Sequence, residues 1–484
     1  MLEETFKTAV HHHSKKNFSQ AKKIYEDLIK SNPNNFLILQ NYATLLSQMK
    51  LFKKAAEVFK KCLTIKPNDS LLLYNYAKFF HDQKIYDRAV KLYHESFNLN
   101  PKSYMCLYNI GKIHFSKNEL DKAIKNFNKS LEINPSNYLA YNNIGLSYKK
   151  LGNFTDALNY YKKAIEINKN YVDCHVNYGT LLLLTNNLKL GFEEYEWRKK
   201  SKNFTDYLNY LKLQIKTPEW TGQTLENKTI LVFTEQGIGD LIQFARYIYV
   251  LKDEYKCKVI LRLKHNLSHF FDNKIKIITE EEEIPIHDFH NHLVSLPGIF
   301  YKKNKNFPKN INFIKENKDL DKKWREILSK YKGLKVGINS TASSATTGDR
   351  IIPIDHFKSL TNLKNINFFI IQKDFDKNNI KVINQNSNVN YFEDLDKSGK
   401  AFQDTIGLIK NLDLIITADT SLGHLSATLE KPTWIALSFI NDWRWFSNSE
   451  ESIWYDKVKL YRQKTIGNWK EVFVKIRNDL EKKI

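Results

Sequence analysis

Cysteine is scarce in this 484-residue chain, and its four cysteines, Cys62, Cys106, Cys174 and Cys257, lie far apart with no C-x-x-C pair. That spacing excludes a disulfide framework and a zinc site and fits a reducing compartment. No apolar run approaches the roughly 20 residues that span a bilayer, and the first residues lack an apolar segment followed by a small-residue cleavage site. The expectation is a cytoplasmic protein. Arginine is also rare: nine of the 75 basic residues, set against 53 acidic ones for a net charge of +22. Nucleic-acid readers lean on arginine for bidentate base contacts, so a lysine excess favours solubility or acidic partners over nucleic acid. The excess is spread along the chain, with 31 basic and 18 acidic residues in the first 200. What is present is ample core material: 42% hydrophobic and 13% aromatic residues. This excludes a disordered or collagen-like chain, and the length implies two or more cores.

Self-comparison uncovers a 34-residue step. It links Pro33, Pro67, Pro101 and Pro135; Ala21, Ala55, Ala89, Ala123 and Ala157; and Tyr25, Phe59, Tyr93, Phe127 and Tyr161. A fourth row holds Ala9, Ala43, Ala77, Gly111, Gly145 and Gly179. A small residue where helices cross lets backbones approach, an aromatic four residues after an alanine shares its face, and proline ends the pair. The pattern resembles the tetratricopeptide repeat. Five full units run from about Leu2 to Tyr171, followed by a degenerate sixth with Gly191 and Tyr195. The resemblance implies an α-solenoid over residues 1–200 whose concave face takes a peptide or protein, or an array acting only as a spacer or dimerisation element. His11, His12 and His13 sit inside the first helix and face different directions, which argues against a chelating cluster.

After Arg198 the rhythm stops. A linker is expected over 201–224, then α/β texture in two halves, 225–332 and 333–484. Strands are expected at 229–235, 258–263, 274–279, 335–340, 366–371, 413–418 and 433–438. Continuous Val/Ile/Leu/Phe runs are how strands buried on both faces of a parallel sheet read. Helical stretches such as 240–251 supply crossovers, and 320–331 connects the halves. Ligands then belong in the cleft outside the strand carboxyl ends.

Two strand ends carry polar groups. At the first, TEQGIGDLIQFARY, Gly237 and Gly239 allow a tight turn and a helix starts at or just after Asp240. Taken alone this is a weak signal, since a third glycine is missing. Asp240 has two readings, a helix cap or a carboxylate exposed in the cleft as general base. At the second, DLIITADTSLGHLSATLEKPTWIALS, Asp419, Thr420 and Ser421 offer a carboxylate, two hydroxyls and backbone N–H groups at a helix start. Such an end suits a diphosphate or ribose, with His424 one turn further on.

The pattern D-T-S-x-x-H-L-x-A-x-x-x-x-P-T from Asp419 to Thr433 resembles the donor-binding signature of heptosyltransferase-like enzymes, glycosyltransferase family nine. G-x-G-D at 237–240 is similar to their N-terminal motif. Segments 346–357, 401–425 and 441–463 look like the bacterial proteins that join tetratricopeptide repeats to such a domain. The resemblance implies a GT-B pair of Rossmann-type halves behind the solenoid. It implies Asp240 as the base in an inverting, metal-independent sugar transfer from a nucleotide-sugar donor. It assigns the diphosphate to Thr420, Ser421 and His424 with neighbouring N–H groups, and phosphate neutralisation to Arg350. Gln372 is a base or ribose contact. No cofactor or metal is expected, and the aspartates around Asp319 and Asp394 read as solvated surface. His287, His290 and His292 also read as non-metal.

The loop INSTASSATTGD departs from the family, which often has a tryptophan after that strand. Trp443 and Trp445 read equally as sugar-stacking or core residues. Three functions follow: a glycosyltransferase with a protein or glycan acceptor, a catalytically inactive repeat scaffold, or a protein O-glycosylating enzyme like the O-GlcNAc transferases.

Overall fold

The computed structural model describes every residue except 1, 213–214, 310, 342–350, 373–374, 376, 384–387 and 398, and all side chains but those of 203, 211, 212 and 377 besides. The chain divides into two compact units, residues 1–174 and 175–484.

The first unit is a series of antiparallel helix pairs. They are α1 (Leu2–Ser14) with α2 (Phe18–Ser31), α3 (Phe36–Gln48) with α4 (Phe52–Ile65), and α5 (Ser70–Asp82) with α6 (Tyr86–Leu99). Next come α7 (Tyr104–Ser116) with α8 (Leu120–Ile133) and α9 (Tyr138–Lys150) with α10 (Phe154–Ile167). The second helices start at 18, 52, 86, 120 and 154, keeping the 34-residue step. The aromatic row Tyr25, Phe59, Tyr93, Phe127 and Tyr161 is fully buried. It packs against the small-residue row so closely that a Cβ on Gly111 would lie 2.6 Å from the Phe127 ring, and one on Gly145 2.6 Å from Tyr161. Successive first helices are tied by Asn109 Nδ2 donating to the Tyr74 hydroxyl (3.0 Å) and Asn143 Nδ2 to that of Tyr108 (2.9 Å).

A further row emerges only in the backbone. Lys16, Lys50, Lys84, Asn118, Gly152 and Asn186 all have φ between 59° and 78° and sit between the paired helices. Each is the left-handed residue that ends a helix and lets the chain reverse. Glycine fills that place once, so the sequence hides the row.

The sixth pair, α11 (Val172–Leu184) and α12 (Leu188–Tyr195), keeps the step but falls almost wholly in the second unit. A 3-10 turn, Glu196–Lys200, and α13 (Lys202–Lys212) follow. The expected linker at 201–224 is therefore structured over much of its length. Tyr207 and Leu208 of α13 pack on Leu231, Phe233, Ile260 and Ile278. Trp220 is fully buried and its backbone N–H donates to the His290 carbonyl at 2.8 Å. Apolar residues in a polar stretch were the physical sign that it packs.

Two parallel sheets form the rest. One contains β1 (Thr229–Phe233), β2 (Lys258–Leu263), β3 (Lys276–Thr279) and β4 (Phe289–His292) in the order β3-β2-β1-β4. The other contains β5 (Leu334–Asn339), β6 (Ile366–Ile370), β7 (Val389–Tyr391), β8 (Leu414–Ala418), β9 (Thr433–Leu437) and β10 (Val458–Arg462), in the order β10-β9-β8-β5-β6-β7. Every pairing between these strands is parallel. Renumbered within each sheet, the orders are 3-2-1-4 and 3-2-1-4-5-6, those of doubly wound α/β folds, and they reverse direction between β1 and β4 and between β5 and β8. The second unit thus carries the expected α/β architecture.

The crossovers include α14 (Ile238–Phe244), α15 (Arg246–Glu254) and α16 (Leu296–Asn304). Between and after the later strands run α17 (Lys318–Ser329), α18 (Lys358–Thr361), α19 (Lys377–Ile383), α20 (Gln403–Lys410), α21 (Ser421–Thr428) and α22 (Trp469–Glu481). The seven expected strands are all present. β4, β7 and β10 were not expected. β4 reads FHNH, polar by letter, yet Asn291 and His292 are buried, with Asn291 Nδ2 bonded to the Trp220 carbonyl. β7 has only three residues, and β10 carries Lys459 and Arg462 among its buried apolar residues.

The four cysteines are free thiols and all buried. Among the described residues no helix is long and apolar enough to cross a membrane.

Candidate functional site

The two reversal points of the sheets open into one cleft of about 990 Å³. It is lined by the turn 236–240 after β1, by Asn339 at the end of β5 and Gln372 after β6, and by Asp419, Thr420, Ser421, Leu422 and His424 after β8. Asp240 and the Thr420–Ser421 end, 180 residues apart in sequence, are thus brought together. Helix α14 packs on α21, and a Cβ placed on Gly239 would lie 3.4 Å from His424 Cδ2 and 3.7 Å from Ser421 Cα.

The first turn differs from expectation. Helix α14 begins at Ile238, so Asp240 lies within its first turn rather than at its start. Gly237 has φ −80°, an ordinary extended value, and Gly239 is helical, so neither glycine is needed for a left-handed bend. Added methyl groups would meet nothing closer than 3.4 Å. What the glycines leave is room, which keeps this backbone open to the cleft.

Asp240 both bonds its own turn and faces the cleft. Its Oδ2 accepts the Gly237 N–H at 3.0 Å, which is a capping bond, and the residue also lines the cleft. Its Oδ1 accepts from Arg444, a partner that the sequence reading did not single out. Arg444 also donates through Nη1 to Asp442 Oδ1 at 2.8 Å. Burial works against its charge, but the carboxylates of Asp240 and Asp442 outweigh that and raise the guanidinium pKa. The one available signal was compositional: a rare arginine between two tryptophans, Trp443 and Trp445.

At the second strand end the ligand-ready groups are fewer than expected. Asp419 is 6% exposed, and its Oδ1 accepts from Trp445 Nε1 at 2.8 Å. It fastens the loop after β9 to the end of β8. Thr420 caps α21, with Oγ1 accepting from Leu422 N (3.2 Å) and its carbonyl from Gly423 N (3.1 Å). Two of the helix's first N–H groups are therefore already used, and Ser421 stands at the mouth of the helix. His424 is buried, with Nδ1 3.1 Å from the Tyr455 hydroxyl and its ring stacked on Trp445 at 5.0 Å. Trp445 is a core residue, 1% exposed, whereas Trp443 lines the cleft. Gln372 faces the cleft with Oε1 3.5 Å from Ser340 Oγ. Arg350 and most of the loop INSTASSATTGD lie outside the described residues.

The sixth helical pair also reaches this cleft. Thr180 and Tyr195 line it, and the Tyr195 hydroxyl accepts from Gln236 Nε2 at 2.9 Å. Behind the turn, buried Arg198 donates to Glu235 Oε1 (3.2 Å), Ser295 Oγ (2.7 Å) and Glu196 Oε1 (2.5 Å). Burial raises the Glu235 pKa despite the Arg198 charge. Among the described residues no cluster of three His, Cys, Asp or Glu side chains is arranged to hold a metal ion, and this includes His287, His290 and His292.

Tetratricopeptide-repeat families match residues 38–69, 111–152 and 138–171. These spans carry tetratricopeptide repeats, a protein-interaction architecture. No curated protein matches the chain. Solved structures similar to it include MamA, at 25% identity over 34% of this chain and 96% of that one, with a TM-score of 0.31. Pseudomonas aeruginosa pilF is 17% identical over 43% of this chain and 97% of its own, TM-score 0.38. YrrB, described as a TPR protein with an unusual peptide-binding site, is 16% identical over 39% and 97%, TM-score 0.30.

Proposed function

We propose that the chain is a glycosyltransferase of GT-B type, heptosyltransferase-like, that moves a sugar from a nucleotide-sugar donor to a hydroxyl acceptor recruited by the repeats. The observation that carries this reading is the convergence of the Asp240 turn and the Thr420–Ser421 helix end in one cleft at both sheet reversal points. The donor diphosphate lies at the start of α21, where Ser421, the Thr420 hydroxyl and the positive end of the helix dipole meet it. Gln372 and Asn339 line the side on which the nucleoside belongs. The acceptor oxygen attacks the anomeric carbon as Asp240 removes its proton. The bond from that carbon to the phosphate oxygen breaks, and its electron pair leaves with the nucleoside diphosphate. Attack opposite the leaving group inverts the anomeric configuration. Helix dipole and hydroxyl donors offset the departing charge, so the reaction needs no metal.

A calorimetric screen of the whole chain against UDP, GDP, ADP and CMP and their sugars, with and without EDTA, tests the reading. Binding that survives EDTA and is weakened by Thr420→Ala supports it. Binding to none of them favours a second reading, a repeat scaffold whose α/β unit is inactive, for which the tetratricopeptide repeats are the supporting observation.

A further inference from the structure

Asp240 does not stand alone in the cleft. Its two carboxylate oxygens are held from different parts of the chain, Oδ2 by Gly237 N–H on its own turn and Oδ1 by Arg444 from the segment after β9. Arg444 is itself over-determined. Asp442 Oδ1 accepts both its backbone N–H (3.1 Å) and its Nη1 (2.8 Å), while its carbonyl accepts Trp454 Nε1 at 2.7 Å. Its guanidinium carbon lies 4.6 Å from the Trp443 ring centroid and 5.4 Å from that of Phe244. The Arg444 side chain is 9% exposed and that of Asp240 18%, so their ion pair is shielded from water.

We propose that Arg444 is the positioning residue for Asp240, fixing the carboxylate's direction in the cleft through a guanidinium that Asp442 and two aromatic faces hold in place. The inference rests on the reading of Asp240 as the base. A planar fork held on both sides restricts the carboxylate to one orientation, which the single point charge of a lysine does not do. A base must meet its proton within hydrogen-bond reach, and misplacement by about 1 Å costs on the order of 100-fold in rate. Arg444 acts through Asp240 and carries no contact to the donor in this role.

The test compares the full-length parent with Arg444→Gln, Arg444→Lys and Asp442→Asn. In one arm, folded proteins matched by circular dichroism are treated with a water-soluble carbodiimide and glycinamide, and labelling of the Asp240 peptide is followed by mass spectrometry. The expected result is several-fold faster labelling in Arg444→Gln and Asp442→Asn than in the parent, with Arg444→Lys between them. Equal rates in the folded proteins overturn the proposal, and Asp442→Asn decides it where Arg444→Gln fails to fold. This arm needs no turnover, so its failure is distinct from failure of the transferase reading. In the second arm, with a nucleotide sugar that the parent consumes, kcat falls about 100-fold in Arg444→Gln while the donor KM stays unchanged. A raised donor KM with unchanged kcat overturns the proposal by assigning Arg444 to the donor.

Discussion

The two units solve the problem of burying apolar surface in opposite ways. In the repeats one local contact, an aromatic against a small residue, recurs every 34 residues: Phe127 on Gly111 and Tyr161 on Gly145 are the same joint. In the α/β part the sheet order recurs but the polar side-chain contacts do not. Asp240 meets Arg444 across 204 residues, and Trp445 meets Asp419 across 26. Redundancy lets the first unit vary residue by residue, while each polar contact of the second has no copy to replace it.

The sharpest break of that contrast is Asp240→Asn. On the proposed reading the expected outcome is transfer lowered by about 10²- to 10⁴-fold with nucleotide binding close to the parent's, and a melting temperature lowered by the loss of the shielded Arg444 pair, read by a product assay beside calorimetry. Equal activity of variant and parent removes Asp240 from the chemistry. A smaller but still large effect belongs to the repeats. Phe127→Ala leaves a cavity at a fully buried ring and costs about 3–5 kcal/mol, visible as an earlier urea transition. If it proves mild, redundancy among the joints extends to energy as well as to pattern. In the other unit Trp445→Phe removes the donor to buried Asp419, a loss of about 1.5–3 kcal/mol by the same measurement, to which the smaller ring adds the cost of a void.

Acid sharpens the comparison further. Burial, and after it the charge of Lys112, push His81 down to about 4. The unfolded chain takes up this proton near pH 6.5, before the folded state does, so the His81 contribution is complete above that pH. It is lost as pH falls towards about 4. His81→Gln is therefore expected to flatten the fall in melting temperature over that interval. The smallest effect is a gain. The hydroxyls of Tyr25, Tyr93 and Tyr161 are buried with no hydrogen-bond partner among the described residues, at a row position where Phe59 and Phe127 also serve. Tyr93→Phe should raise stability by up to about 1 kcal/mol.

Legibility in the sequence follows the same division. The helix pairs could be read because small, aromatic and proline rows sit at fixed local spacing. The left-handed turn residues escaped because lysine and asparagine occupy most of that row. In the α/β unit the seven apolar strands were legible, whereas β4 hid behind FHNH, where Asn291 bonds the Trp220 carbonyl and His290 meets the Thr217 hydroxyl inside the fold. The Asp240 and Thr420–Ser421 ends were read from their motifs. Arg444 was missed because its meaning lies in a contact 204 residues away. The Asp419–Trp445 bond was missed for the same reason, since nothing adjacent to Asp419 announces that donor.

One close contact has a consequence for modularity. A Cβ on Gly298 in α16 would fall 2.9 Å from Phe192 Cβ in α12. A generic repeat grafted before residue 201 would not reproduce that fit, nor the Arg198–Glu235 pair beside it. As an engineering unit the α/β part therefore begins near His175 rather than near 225, and it carries its own fitted adaptor. An array of another length joined upstream of that adaptor would leave the cleft with the wall that Thr180 and Tyr195 supply.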